Sequence, residues 1–408
     1  MSDLVLVLFD DRVAREWMPF ALTRPAGELR FGALTLRERA ERVFRARCLG
    51  HLTLSHLRPF DEPWSAPVLD PAQLPRDRNL LFLSSRAVPA WQGPPALGDQ
   101  AALLGIGGEV CGWYAPAGTE PPPAEFLLDP AAHAPSALPV QTMAGAVLQG
   151  VWELVTRNAE QVARDVTALF PRADGPQALP AGVHVLGSAP LILGRDVTIE
   201  PGVVLDLREG PVWLDDESTV CALTRLAGPA YIGRKTELLG GRFSAVSIGP
   251  MCKVHGEVEE SVFLGYANKA HDGFLGHAYV GCWVNLGALT TNSDLKNNYG
   301  PVRLWTPNGE ADTGELKFGC LLGDHVRTGI GIMLNTGTVV GAGACIFGAS
   351  QPPKYVPPFA WGTGDSLGEY ELEKFLATAE TVMARRNVVL TPGQRELLRA
   401  AWDLGRNS

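Results

Sequence analysis

The stretch Asn268–Gly281, NKAHDGFLGHAYVG, carries two of the chain's eight histidines, at 271 and 277. Imidazole is the side chain best suited to taking a proton from an attacking group near neutral pH. Asparagines follow at 285 and 292, an aspartate at 294 and a lysine at 296. Amides can orient the hydroxyl and amino groups of a sugar, and an ammonium can meet a phosphate. His271 is the candidate general base, and His277 is expected to serve only a turn. This chemistry needs a frame that carries residues distant in sequence to one edge.

The frame is legible beyond about residue 180. Leu193, Ile199 and Leu205 fall six apart, as do Ile232 and Leu238, Ile248 and Val254, and Val280 and Leu286. Leu322, Thr328, Leu334, Val340 and Ile346 hold the same interval through five successive positions, with glycines following at 323, 329 and 341. A period of six fits neither a helix nor ordinary hairpins. It fits the hexapeptide repeat of a parallel β-helix, in which one apolar residue per side points inward. A coil of about three hexapeptides takes roughly 18 residues, which sets His271 beside Leu289 and brings Asn285, Asn292, Asp294 and Lys296 to or near the next coil. Two interruptions are expected, at 206–230 and at Leu295–Phe318. Long out-of-phase loops in compact domains often carry function.

The rest of the chain sets bounds. At 408 residues two domains are expected, and 46% hydrophobic with 19% charged residues is a globular composition. A net charge of −9 gives no general reason to bind nucleic acid or an anionic membrane. Seven cysteines without a CxxC pair fit a reducing cytoplasm. MSDLVLVLFDD reads as a buried first strand and not a leader, and no run approaches the ~20 apolar residues of a membrane span. Residues 1–175 are expected to form an α/β domain, with strands over Leu4–Phe9 and Asn79–Ser84 and a helix over Thr35–Arg47. The Pro- and Ala-rich 115–140 reads as an extended linker or loop, Met143–Phe170 as a helix and PRADGPQALP as a break. The β-helix is expected over 180–365. Helices over Glu369–Arg386 and Pro392–Leu404, the latter capped by Thr391, would close its end within 366–408.

KAHDGFLG followed by NLGALTTNSDLKNN resembles the acetyltransferase half of the bifunctional glucosamine-1-phosphate acetyltransferase/N-acetylglucosamine-1-phosphate uridylyltransferases. GPMCKVHGEVEESVFLGYANKAHDGFLG and TGTVVGAGACIFG are similar to a divergent bacterial branch of these sugar nucleotidyltransferase-like proteins. The resemblance covers about 190–365 and implies a left-handed β-helix, a homotrimer, and acetyl-CoA bound between neighbouring solenoids. It implies that His271 deprotonates the sugar amine and that Asn285 holds the sugar. Phe274 stands where the family commonly has tyrosine, and Asp294 where it has a second asparagine, with Asn292 two residues before. Lys269 and Lys296 would be phosphate-side cations, with Lys253 a further candidate, and backbone near Gly329 and Ala342 would face the CoA.

MPFALTRPAGELRFG, Met18–Gly32, resembles the loop after the first strand of nucleotidyltransferase domains. It implies nucleotide binding by Thr23, Arg24, Pro25 and Arg30, with Mg²⁺ on Asp10 or Asp77. The glycine-rich turn of that family is replaced by FDDRVAREW, so a reduced domain that is a remnant or only binds stands open beside nucleotidyl transfer. Sugar-phosphate transfer, acetyl transfer by the β-helix with nucleotidyl transfer by the first domain as a second activity, is the leading expectation. A trimeric scaffold with eroded sites stays open, as does a zinc β-helix enzyme of carbonic anhydrase type using His255, His271, His277 and His325.

Overall fold

The computed structural model describes residues 4–171 and 179–406, so the break expected at PRADGPQALP lies mostly outside the described residues. The chain divides into two compact units. The first comprises Met1–Leu29, Leu34–Val151 and Thr391–Ala401, and the second Arg30–Ala33, Trp152–Leu390 and Trp402–Ser408.

Leu4–Phe9 is a strand of a six-stranded sheet, parallel both to Arg47–Leu52 and to Asn79–Ser84. Leu6 and Leu8 pack with Phe44, Leu81 and Leu83 on one face, whereas Val5, Val7 and Phe9 pack with Phe82, Trp113 and Phe126 on the other. A strand covered on both faces reads as an unbroken apolar run, which is why LVLVLF shows no alternation. The helix Leu36–Phe44 starts at a capping box: Thr35 Oγ1 accepts from the Glu38 N–H at 3.1 Å, and the Glu38 carboxylate accepts from the Thr35 N–H at 2.8 Å.

Two expectations for this half do not hold. The 115–140 segment is no linker. It carries short helices at Ala124–Leu128 and Pro130–His133, and Phe126 is buried edge-on to Trp113 at 5.0 Å. The helix expected from Met143 starts later, because Val140–Met143 and Gly145–Val147 are strands, and it is split into Glu153–Thr156 and Asn158–Leu169. Asn158–Leu169 also groups with the second unit, since Val162 and Val166 pack with Ile192, Trp213 and Tyr231.

The second unit is built on a parallel β-solenoid. Its longest ladder has nine strands, from Leu191–Leu193 to Tyr355–Val356. Leu214, Ile232, Ile248, Phe263, Val280, Leu322, Val340 and Val356 stack in register along it, each fully buried. The five-position run holds as expected: Leu322, Thr328, Leu334, Val340 and Ile346 all point inward. Residues 206–230 do not interrupt the solenoid. Val212, Leu214, Val220, Leu226 and Ala230 are fully buried members of continuing coils. Leu295–Phe318 is a true excursion, closed at its base by the Phe318 N–H donating to the Asp294 carbonyl at 2.8 Å. It holds a hairpin of Arg303–Thr306 with Gly309–Asp312, and Trp305 stacks on Tyr355 at 3.6 Å.

After the last coil, Phe375 of the helix Leu372–Ala384 packs edge-on to Phe359 and His325. The helix Pro392–Gly405 carries the expected Thr391 cap, its hydroxyl accepting from the Gln394 N–H at 3.2 Å. Of these two C-terminal helices, Leu372–Ala384 lies wholly in the solenoid unit, whereas Thr391–Ala401 groups with the first.

Candidate active site

One outer column of the solenoid is polar. Glu237, Lys253, Asn268, Asn285 and Arg327 pair in succession across neighbouring coils. The Asn268 amide donates to Asn285 Oδ1 at 2.9 Å, and Lys253 Nζ lies 2.8 Å from the Glu237 carboxylate. Lys253 is therefore an ion-pair member of this face. The chain then turns a corner, and on that corner stand His255, His271 and Asp272. His255 Nδ1 lies 3.3 Å from Asp272 Oδ1. His271 is exposed, and no described residue bonds its imidazole.

The His271 backbone is held from beneath. Lys269 occupies an inward position, between Val254 on the preceding coil and Leu286 on the next, and only 2% of it is exposed. Its ammonium donates to the carbonyls of His255 at 2.8 Å and His271 at 2.9 Å. Burial pulls its pKa down to about 8, against a smaller opposing pull from Asp272. The role expected for Lys269, a phosphate-side cation, is thus corrected: it is an interior brace for the two histidine-bearing corners.

Asn292 is corrected in the same way. It too points inward, and its amide bonds both the N–H and the C=O of Gly276 at 2.9 Å, as a strand neighbour would. Phe274 is half-buried on an outer face, its ring over Gly276 beside Asp294. Asp294 accepts from His277 Nδ1 at 2.8 Å, while His277 Nε2 lies 3.4 Å from Glu260. Burial opposes the charge on His277, but Asp294 and then Glu260 outweigh it and raise its pKa to about 9. His277 sits in a turn with a left-handed φ of 48°, as the sequence suggests, and it is also the buried cation between two partly exposed carboxylates. Lys296, on the excursion, donates to the Pro301 carbonyl. His271 and Asn285 thus share the polar face and corner, whereas Lys269 and Asn292 lie inside and Asp294 is held by His277.

Gly329 uses its N–H on the Ile346 carbonyl at 2.7 Å, and Ala342 is 1% exposed with its carbonyl accepting from Phe359. The backbone expected to face CoA is thus occupied in the ladder. Exposed Leu289 and Ile330 stand on the His271 corner instead; the Leu289 N–H donates to the Asp272 carbonyl at 2.8 Å. The four histidines do not converge: His325 stacks on Trp283 with Phe375 edge-on to it, His277 is ion-paired, and among the described residues no cluster of three His, Cys, Asp or Glu side chains could hold a metal. Sequence reasoning missed Asp272 and Arg327; the column that holds Arg327 is visible only once coil lengths are known.

The expected nucleotide loop is occupied by its own chain. Arg24 is 2% exposed and makes a bidentate pair with Glu62 at 2.8 and 2.9 Å. Thr23 Oγ1 donates to the Phe20 carbonyl, and Pro25 precedes the 3₁₀ turn Ala26–Glu28. Arg30 groups with the solenoid unit, where its backbone exchanges two hydrogen bonds with the Tyr279 hydroxyl and its guanidinium lies over Tyr231 at 5.0 Å. Asp10 ends the first strand, only 2% exposed; Oδ2 accepts from Ala26 N–H and Thr53 Oγ1, and buried Oδ1 has no partner. Asp77 is exposed and precedes Asn79, at the opposite end of the parallel pair that matches Leu4 with Asn79 and Phe9 with Ser84. The two aspartates therefore cannot share one ion.

Residues 6–172 match the model of the sugar nucleotidyl transferase family. This part of the chain is sugar nucleotidyltransferase-like. The chain is 32% identical over 91 residues to a bifunctional sugar-1-phosphate nucleotidylyltransferase/acetyltransferase of Sulfurisphaera tokodaii, covering 22% of this chain and 23% of that protein. It is 30% identical over 120 residues to the bifunctional protein GlmU of Methanococcus vannielii, covering 29% and 27%. The matches span about a quarter of those relatives' length. A solved Arabidopsis UDP-N-acetylglucosamine acyltransferase aligns with a TM-score of 0.26 at 13% identity, over 52% of this chain and 80% of that one. No helix among the described residues is long and apolar enough to cross a membrane.

Proposed function

We propose that the solenoid transfers an acetyl group from acetyl-CoA to the amine of an amino-sugar 1-phosphate, with His271 as general base. The observation that carries this reading is the state of His271: an exposed imidazole without an internal partner, on a corner whose backbone a buried ammonium fixes. Neutral imidazole takes the amine proton as the N–C bond forms at the thioester carbonyl. The C–S bond breaks, and the proton passes to the departing thiolate. Asn285, fixed by Asn268, would orient the sugar, and the apolar side chains of Leu289 and Ile330 would receive the thioester arm. The relatives whose names join the two activities support this, and a homotrimer is the assembly proposed. Thioester consumption with glucosamine 1-phosphate, wild type against His271→Ala, is the test. Absence of turnover by the wild type with any amino-sugar phosphate would sink the reading.

The family match over 6–172 favours a second activity, sugar-1-phosphate nucleotidyl transfer by the first unit. The unpartnered Oδ1 of Asp10 is a hard oxygen at the carboxyl end of a parallel strand, and it fits Mg²⁺ where Asp77 does not. Bound there, Mg²⁺ would neutralise triphosphate charge. Arg24, locked to Glu62, is not proposed as a nucleotide ligand. Pyrophosphate release from UTP and a sugar 1-phosphate, wild type against Asp10→Asn, tests this half.

A further inference from the structure

A pocket of about 580 Å³ opens where the excursion leaves the solenoid. Lys296, Asn297 and Asn298 line it from the excursion, and Asn335, Thr336 and Lys354 from the following coils. Its volume is that of small-ligand sites generally.

Its chemistry is one-sided. No carboxylate is among the eight lining residues, although acidic residues outnumber basic ones 44 to 35 in the chain. Asn335 Oδ1 accepts from Gln351 Nε2 at 2.8 Å, so that amide has its N–H groups left to offer. Asn298 Oδ1 accepts from the Gly300 N–H at 3.2 Å, with the same result. The Lys296 ammonium is positioned by the Pro301 carbonyl and keeps two further N–H groups. No described residue bonds the exposed Lys354 ammonium. Two cations and two amides with their oxygens already engaged make a concave site of donors. Such a site suits an anion with several acceptor oxygens.

We propose that this pocket binds a phosphate or diphosphate group, with Lys354 and Asn335 completing a site begun by Lys296. Phosphate oxygens accept from both ammonium groups and from the Asn335 and Asn298 amides. The phosphate can belong to the sugar 1-phosphate or to the 3′-phosphate of the acyl donor. Those two sources rest on the acetyl-transfer reading, whereas the anion site itself does not.

The test is calorimetric titration of the full-length protein with inorganic pyrophosphate, glucosamine 1-phosphate, CoA and dephospho-CoA, comparing wild type with Lys296→Gln/Lys354→Gln. The expected result is that the double variant binds pyrophosphate at least tenfold more weakly, with a shallower salt dependence. A parallel loss confined to glucosamine 1-phosphate assigns the sugar phosphate, and a loss for CoA absent with dephospho-CoA assigns the 3′-phosphate. If wild type fails to bind pyrophosphate, or if the correctly folded double variant binds it within twofold of wild type, the proposal is overturned. If only the acetyl-transfer reading is wrong, turnover is absent while pyrophosphate still discriminates the two proteins.

Discussion

The cluster of Glu260, His277 and Asp294 makes a prediction that can be worked through in numbers. His277 is raised from 6.5 to about 9, against the effect of its burial, by Asp294 and then Glu260. Lys317 is the other charge acting on the two carboxylates, and both are held below their usual range first of all by His277. At about 1.4 kcal/mol per pH unit, the shift corresponds to on the order of 3 kcal/mol favouring the charged fold. The folded pKa is the higher one, so this stabilisation is complete below pH 6.5, declines as pH rises, and is gone above about 9. Asp294 stands at the base of the excursion, where its carbonyl accepts from Phe318, so the excursion should loosen over the same window. The assay is a titration of ¹³C-labelled histidine by NMR, beside limited proteolysis of 295–318 from pH 6 to 9.5. Wild type should give one histidine titrating near 9. Asp294→Asn should lower that value by at least one pH unit and admit cleavage at pH 7. A His277 resonance titrating between 6 and 7 in wild type, or one unmoved by Asp294→Asn, would refute the reasoning.

Three further outcomes follow from the same packing. Lys269→Met should lower kcat of acetyl transfer by displacing the His271 carbonyl, while KM for the sugar phosphate stays within threefold; a rise in KM above tenfold with kcat unchanged would restore Lys269 as a phosphate ligand. Leu322→Ala, in the fully buried inner column, should cost about 2–5 kcal/mol in urea unfolding followed on the solenoid unit. A cost below 1 kcal/mol would contradict its inward placement. Arg24→Ala should destabilise the first unit by about 3 kcal/mol, because it leaves the Glu62 carboxylate without its bidentate partner. Calorimetric affinity for UTP should not change, and a tenfold loss without destabilisation would return Arg24 to the nucleotide site.

The solenoid was legible because its period of six survives in the inner column, and the first strand because burial on both faces leaves an unbroken apolar run. The same period also carried information that chemistry obscured. Phe263, Lys269 and Leu275 are six apart, as are Val280, Leu286 and Asn292, and all six point inward. Phase alone places Lys269 and Asn292 in the interior; reading them by functional group sends them to the substrate. The corner was less legible because coils vary in length. Val254 pairs with Lys269, 15 residues on, and Thr328 with Ile346, 18 on. A uniform coil of 18 puts His271 beside Leu289, whereas the Leu289 N–H donates to the Asp272 carbonyl and so lies further along this corner. An error of one residue at a corner decides which side chain faces solvent, and no local pattern reports it.

What separates functional from structural charge in this chain is whether a polar group already has a partner inside the fold. Glu28 shows the structural case. It is buried with His51 and Arg37 at 2.8 and 2.7 Å, and these partners hold its carboxyl at about 2 despite a burial that acts the other way. A carboxylate so enclosed has no acceptor left for a ligand that would repay the loss of both partners. Arg24 with Glu62 and Arg86 with Asp11 follow the same rule. Against that background the groups without partners stand out: the His271 imidazole, the Lys354 ammonium and Asp10 Oδ1. Asp10 makes the strongest case, because leaving a carboxylate oxygen buried and unbonded costs on the order of 1–3 kcal/mol or more. A bound cation or ordered water removes that cost, so Asp10→Asn should leave the first unit as stable as wild type without Mg²⁺. It should also abolish any rise in Tm when Mg²⁺ is added; a rise that persists in the variant would place the ion elsewhere.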